Sequence, residues 1–379
     1  MLLPKEGQFV VFAAFILWWS IGNRQFIRVN KVTVWFLAYA GIHLVSIIVA
    51  VVTRDYELNR IAAAFNTCGI WMIAVWIAGI VSQEEGADID RIGKYCLINI
   101  GIMFALMLVT WIPGFSIHIG SYGRTAWTWD LLSSGETTRF AGMMEYPTLV
   151  CPFIMLQFPW AFKYLAQSRY KWSAIILIPI SFAPVFMTYS RMGSLAMLLM
   201  CFAAVNCFLL KYGFSFKKLL MVYAGFAIIV IIVCVIKADT VIELAGAVLN
   251  ARPGSNSDRM RIYMETIAKI NETSWVIGAG IKEMNSIGLY PLGSHCTYLG
   301  MIYKAGILGA ICALIGLVRL LTDPVRRMVK TRDWFDILFI ASIGVMLFFF
   351  ILEDIDGADW LLVMSFVGVT IPFADKWAT

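Results

Sequence analysis

The chain has 379 residues, 60% of them hydrophobic and only 14% charged, with a formal net charge of +6. Ordinary globular chains carry about 25% charged residues, so the composition excludes a soluble domain, and nothing in the charge pattern points to nucleic acid. Apolar runs of about 18 to 25 residues, the length that spans a hydrocarbon core of ~30 Å, recur to the C-terminus. That recurrence also excludes a bare signal peptide and predicts an all-α polytopic membrane protein.

Taken in order, spanning segments are predicted at 8–22, 32–53, 61–81, 94–113, 140–162, 172–189, 191–210, 218–236, 297–321, 335–352 and 359–374, about 11 in all. The stretch from Trp172 to Leu210 counts as two because Arg191 is its only charge. As one helix it would be ~58 Å long, about twice the bilayer core. Its vertex is expected at Thr188-Tyr-Ser-Arg-Met-Gly193.

Alternate short loops are basic: Arg24, Arg28 and Lys31; Arg91 and Lys94; Lys163, Arg169 and Lys171; Lys211, Lys217 and Lys218; Arg326, Arg327, Lys330 and Arg332. The intervening loops are poorer in Lys and Arg, which places the first set in the cytoplasm. The N-terminus is then expected outside and the C-terminus inside. A large polar insertion, residues 237–296, falls on the outer face as a loop within the single transmembrane domain 1–379. The 114–139 loop is also outer, and Trp111, Trp127 and Trp129 suit an interfacial aromatic belt.

Within the large loop Met260, Tyr263, Met264 and Ile267 repeat at i, i+3, i+4 and i+7, predicting an amphipathic helix. Ser257 or Asp258 can cap it, Glu265 and Lys269 form an i, i+4 pair, and its apolar face is expected to pack onto the membrane domain. Gly278-Ala-Gly280 reads as a turn without dinucleotide context. Of the eight cysteines, only Cys296 borders this loop; the others fall in or beside apolar runs and read as small apolar fillers.

Unusual polar residues gather on the outer side. Arg139, Arg191, Arg252, Arg259, Arg261 and His295 come from three parts of the chain, against the positive-inside trend. Guanidinium groups grip phosphate oxygens bidentately and keep their charge, so such a set suits a diphosphate. Each also has a plainer reading: Arg191 as a hairpin marker, Arg139 as an interfacial anchor, Arg261 as a partner of Glu265, His295 as a loop residue bonded to backbone. His43 reads as an interhelical hydrogen bond and His118 has no partner pattern. No metal site is expected: three histidines lack ligand spacing. Asp354-Ile-Asp356 with Asp359 reads as a solvated turn, like Asp88-Ile-Asp90.

Four motifs carry a family resemblance. Thr188-Tyr-Ser-Arg-Met-Gly-Ser194 resembles the Ser-Arg segment of the bacterial O-antigen ligase and polymerase superfamily, and Arg139-Phe-Ala-Gly-Met-Met-Glu-Tyr-Pro147 resembles its Arg-x-x-Gly…Asn-Pro stretch. Arg259-Met-Arg-Ile-Tyr263 with Gly278-Ala-Gly280 resembles its Arg-x-x-x-Trp…Gly-x-Gly segment. His295-Cys-Thr-Tyr-Leu299 with Lys304-Ala-Gly-Ile-Leu-Gly309 resembles its His-Asn-x-Tyr-Leu…Glu-x-Gly-Ile-x-Gly signature. Cys296, Lys304 and Tyr263 depart from the usual Asn, acidic residue and Trp. Members usually have about twelve helices, and eleven with the N-terminus outside is what loss of the first would give.

The resemblance implies a multi-helix, GT-C type membrane glycosyltransferase in the bacterial cytoplasmic membrane, acting on its extracytoplasmic face. It implies an undecaprenyl-diphosphate-linked oligosaccharide donor, a glycan or glycolipid acceptor, no cofactor or metal, and inversion. By position, Arg191 and Arg259 would hold the diphosphate and His295 would act at the acceptor hydroxyl. Arg139, Arg261, Tyr263 and Tyr298 would contact substrate. A polymerase that extends a lipid-linked acceptor repeat is the reading adopted, with O-antigen ligase as the alternative. A transporter or flippase of the same lipid-linked oligosaccharide is the rival from another class, although the repeats and midplane charges of such proteins are not evident here.

Overall fold

The computed structural model describes residues 5–23, 29–81, 89–109, 140–142, 144, 147–240, 242–243, 246, 255–288, 290–354, 363, 365 and 367. The fold is helical, and one isolated bridge between Met284 and Pro291 is the strand-like pairing among these residues. The helices are α1 (Lys5–Asn23), α2 (Thr33–Thr53), α3 (Leu58–Val81), α4 (Ile89–Val109), α5 (Val150–Gln167), α6 (Ser173–Phe186), α7 (Arg191–Lys211), α8 (Phe216–Ile236), α9 (Ser255–Glu272), α10 (Thr297–Thr331) and α11 (Trp334–Phe349). Among the described residues six stretches are long and apolar enough to cross a membrane, and Val10–Asn23, Ser173–Phe186 and Trp334–Phe349 are shorter apolar helices. Helices occupy the larger part of each expected span up to 335–352; residues 110–113 of the span 94–113 lie outside the described residues. The span expected at 359–374 lies outside the described residues, apart from 363, 365 and 367, which are helical.

The fifth span starts later than expected. Residues 140–142 are irregular, Gly142 takes a left-handed φ of 56°, and helix begins only with a 3₁₀ turn at Pro147–Leu149. Proline disfavours helical backbone in the residue before it. Instead of starting α5, the Phe140 amide donates to the Met187 carbonyl at 2.9 Å, tying this segment to the end of α6.

Helix α5 is the axis of the bundle, buried along most of its length and contacted by α4, α6, α7 and α11. A second layer pairs α2 with α3 and α10. Helices in lipid gain little from the hydrophobic effect and associate through close packing, which small residues permit. Gly309 and Gly316, seven residues apart on one face of α10, meet Tyr39 and Phe36 of α2, and a Cβ on Gly316 would come within 2.8 Å of the Phe36 ring. Phe36 in turn stacks on Trp71 of α3 at 5.7 Å. Between α5 and α7, Gly193 leaves no room for a side chain against Cys151.

Helix α10 is not continuous. Gly306 sits at φ 64° and ψ −172°, a conformation essentially restricted to glycine, and splits the helix in two. A break exposes backbone groups that lipid cannot satisfy, so protein must cover them. The loop after α9 does so. The Ile307 amide donates to the Trp275 carbonyl (2.8 Å), the Leu308 amide to the Val276 carbonyl (3.3 Å), and the Ala279 amide to the Tyr303 carbonyl (2.6 Å). From the other side α2 holds the same loop: His43 Nε2 lies 3.0 Å from the Gly280 carbonyl, and the Ser46 hydroxyl donates to the Ile277 carbonyl. His43 therefore bonds to loop backbone, not to another helix as expected. Gly278 and Gly280 have φ of 79° and 78°, and a Cβ on Gly278 would lie 2.6 Å from the Gly306 amide nitrogen.

Replacing Gly306 with alanine should cost at least about 1–3 kcal/mol in stability, from the forced backbone alone. The check is the melting temperature of the purified protein in detergent. A variant melting like the parent would mean that the break is not built into the fold.

Candidate functional site

The elements that carry the expected site residues meet at one end of the bundle. There the starts of α5, α7 and α10 lie with the end of α11 and the loop packed on α2. Lysines collect at the opposite end. Lys163 at the end of α5 sits 4.2 Å over Phe335, and Lys211 at the end of α7 sits 4.5 Å over Trp334, both rings at the start of α11. Arg327 grips the buried Asp336 with two bonds of 2.6 and 2.7 Å.

Arg259 projects from α9 toward the membrane helices and pairs with Glu353 just beyond α11, Nη2 to Oε1 at 2.9 Å. Asp354 takes Lys282 of the loop at 2.6 Å. Lys282 also donates to the Gly293 carbonyl at 3.3 Å. Glu353 and Asp354 are only 8% and 7% exposed, so the expected solvated turn is corrected: burial without pairing would be costly, and both carboxylates have cations. Asp356 and Asp359 lie outside the described residues. A recess beside this pair is lined by Thr148, Leu149, Pro152, Phe349, Phe350, Glu353 and Asp354. Among the described residues no three histidine, cysteine or acidic side chains are grouped to hold a metal.

His295 sits in the same wall. It holds a left-handed φ of 63°, which histidine tolerates better than most residues, and its carbonyl accepts from the Tyr263 hydroxyl at 2.7 Å. Its ring meets Tyr290 edge-on at 5.6 Å. Cys296 then caps α10: its sulfur accepts from the Leu299 amide at 3.5 Å, the part an asparagine would play. Thr297 fixes the junction by donating its hydroxyl to the Glu353 carbonyl at 2.7 Å. Burial and the Arg259 charge push the His295 imidazole down to about 4, only partly offset by Asp354. It is therefore neutral across ordinary pH. Burial holds the Tyr263 phenol up at about 12, so it remains a neutral donor.

Arg191 opens α7. Thr188 and Ser190 shape the vertex: Ser190 is the N-cap, accepting from the Gly193 amide at 3.1 Å, and its own amide donates to the Thr188 hydroxyl at 3.1 Å. Tyr189 between them takes a left-handed φ of 51°. A cation in the first turn opposes the helix dipole, so the dipole does not explain Arg191 there, whereas an anion at that place would meet both.

The remaining expected contacts divide. Tyr298 points its hydroxyl away to the Leu347 carbonyl at 2.9 Å, which makes it a strut between α10 and α11. Arg261 pairs with Asp258 at 2.5 Å on the exposed side of α9, not with Glu265 and not with the wall. Glu265 accepts from the Ser286 hydroxyl and amide, and Lys269 takes Glu283 at 2.9 Å, so the expected Glu265–Lys269 pair does not form. Arg139, Arg252 and His118 lie outside the described residues.

From sequence no site role is expected for Lys282 or Glu353, and Asp354 is expected only in a solvated turn. Two carboxylates at the end of an apolar helix, opposite an outer arginine set, were the available signal.

Helix ends, buried ion pairs and broken helix together define a multi-pass membrane protein with a charged pocket wall at one end. Residues 159–314 match the O-antigen ligase family, and this supports the resemblance to the O-antigen ligase and polymerase superfamily seen in the motifs. The matched segment includes Arg191, Arg259, His295 and Gly306. No curated protein matches the chain.

Two outcomes follow. Arg259→Ala strands a nearly buried carboxylate and should cost about 3–5 kcal/mol, whereas Arg261→Ala breaks an exposed pair and should cost at most about 1 kcal/mol. Denaturation of both variants checks this. The folded state also resists protonation of His295 while the unfolded chain, with an ordinary value near 6.5, does not. Stability should thus fall as pH drops from about 6.5 toward 4, and His295→Gln should remove that part of the slope.

Proposed function

We propose that this protein polymerises a surface polysaccharide at the outer face of the bacterial cytoplasmic membrane. In this reading it transfers a glycan from an undecaprenyl-diphosphate donor to a sugar hydroxyl of a lipid-linked acceptor repeat. The observation that carries it is the placing of Arg259 and His295 on one wall, joined through Tyr263 and closed by Glu353, within the segment that matches the O-antigen ligase family. The outer orientation of the 237–296 insertion rests on the alternation of basic loops and is consistent with lysines at the far end.

The chemistry is a single displacement. The neutral His295 ring accepts the proton of the acceptor hydroxyl as its oxygen bonds to the anomeric carbon. The bond from that carbon to the diphosphate breaks, the electron pair leaves with the phosphate, and the configuration inverts. Arg259 and Arg191 stabilise the charge that develops on the leaving group, an effect worth about 3–4 kcal/mol per preorganised group. With a value near 4, His295 is a weak base, so most of the acceleration falls to leaving-group stabilisation. Glu353 keeps Arg259 aimed at the recess until a diphosphate competes for it. No metal takes part in this scheme.

The ligase reading shares every step up to the acceptor, and the description of the matched family favours it. Purified protein in liposomes with lipid-linked oligosaccharide separates the two. A ladder of lengthened products identifies a polymerase, and transfer only to an added glycolipid identifies a ligase. Absence of both products would overturn the glycosyltransferase reading in favour of transport. Arg259→Lys, which keeps the charge beside Glu353 but loses the fork, should lower transfer about 100- to 1000-fold with folding intact.

A further inference from the structure

The apolar stripe of α9 does not face the protein. The side that packs inward is made by Ile262, Thr266 and Ile270, all fully buried, with Arg259 and Tyr263 beside them. Met260 and Met264 are 60% and 62% exposed, and Ile267 is exposed with them. These three and Asn271 follow at i, i+4, i+7 and i+11, one continuous line along the helix.

That line has a visible continuation. The Trp275 indole donates to the Asn271 side chain at 2.8 Å, extending the stripe past the end of α9. Trp275 and Val276 are themselves exposed, and their carbonyls take the amides of Ile307 and Leu308 at the break in α10. Ile307, Leu308, Ile311 and Leu314 are large, apolar and exposed on a helix that is long and apolar enough to span a membrane, the character of a lipid-facing surface. The stripe of α9 is thus joined, residue by residue, to the exposed apolar surface of a span-length helix. A tryptophan at the junction suits the bilayer interface, where its ring is half wet.

We propose that α9 lies in the membrane interface, with Met260, Met264 and Ile267 set into the acyl boundary of the leaflet at this end of the bundle. Interfacial helices bury such faces about 5–10 Å deep and keep charged groups on the other side. Arg261 flanks the stripe and is tied to Asp258, and a long side chain of this kind carries its head toward water. The consequence for the site follows from helix geometry. Arg259 precedes Met260 by one residue, about 100° round the helix, so a lipid-embedded Met260 holds Arg259 inward at headgroup depth. That is the level of the diphosphate of a lipid-linked glycan. This last step, unlike the lipid contact, rests on the function proposed above.

The test uses the full-length protein in nanodiscs of phosphatidylethanolamine and phosphatidylglycerol. A nitroxide is attached through p-acetylphenylalanine placed at Met264 or, as an aqueous reference, at Glu272. Collision with oxygen should exceed collision with a water-soluble nickel chelate at 264, and the order should reverse at 272. Water-like access at 264 overturns the proposal, as does shielding from both reagents, which would mean that a second copy covers the face. The same label at Met260 and Ile267 serves if the 264 variant does not fold. Separately, Met264→Asp should raise KM for the lipid-linked donor about tenfold with kcat retained. An unchanged KM together with a lipid-exposed label would leave the membrane contact standing and remove only the link to Arg259.

Discussion

The break in α10 at Gly306 is the constraint on which the rest of the arrangement depends. A helix interrupted within a membrane protein leaves amides and carbonyls without partners, and water is not there to take them. Here the carbonyls of Trp275 and Val276 and the amide of Ala279 take those places, with His43 and Ser46 of α2 holding the loop from behind. The loop is therefore clamped between two helices and is not a free surface excursion. Everything attached to it inherits that rigidity: α9 ends just before it, and Lys282 and His295 follow it. Three glycines make the clamp possible, since at Gly278, Gly280 and Gly306 a side chain would run into opposing backbone.

Electrostatics then completes the wall. Arg259 and Lys282 face Glu353 and Asp354, two cations against two nearly buried carboxylates. This neutral set can exist in low dielectric without substrate, whereas the cations alone could not. In the proposed reaction an incoming diphosphate would compete with the carboxylates for partners already in position, which would limit the reorganisation needed at the moment of reaction. His295 belongs to the same field: the Arg259 charge is one reason it stays neutral.

The helices, the Arg191 vertex and the polar cluster around Arg259 and His295 are legible in the sequence because each is a local signal: a run length, a lone charge in an apolar run, a group of polar residues. Features set by the partner surface are not legible there. Periodicity groups Met260, Tyr263, Met264 and Ile267 on one inward face, whereas Tyr263 packs inward with Arg259 and the other three are exposed, a direction that periodicity alone does not carry. Tyr298 sits inside a motif yet serves α11, and Arg261, two residues and about 200° round the helix from Arg259, is turned to solvent. Glu353 and Asp354 are 94 and 72 residues from their cations, separations at which no pattern in a single sequence announces a pair.

The central claim is that a lipid diphosphate is held by Arg259 of this wall together with Arg191 at the start of α7, and not by outer arginines in general. Binding of undecaprenyl diphosphate to the protein in nanodiscs tests it most directly, free of any turnover. The account predicts that Arg259→Lys and Arg191→Gln each weaken binding at least about tenfold, or 1.4 kcal/mol, while Arg261→Gln leaves it unchanged. Equal losses at all three positions, or none at Arg259, would contradict it.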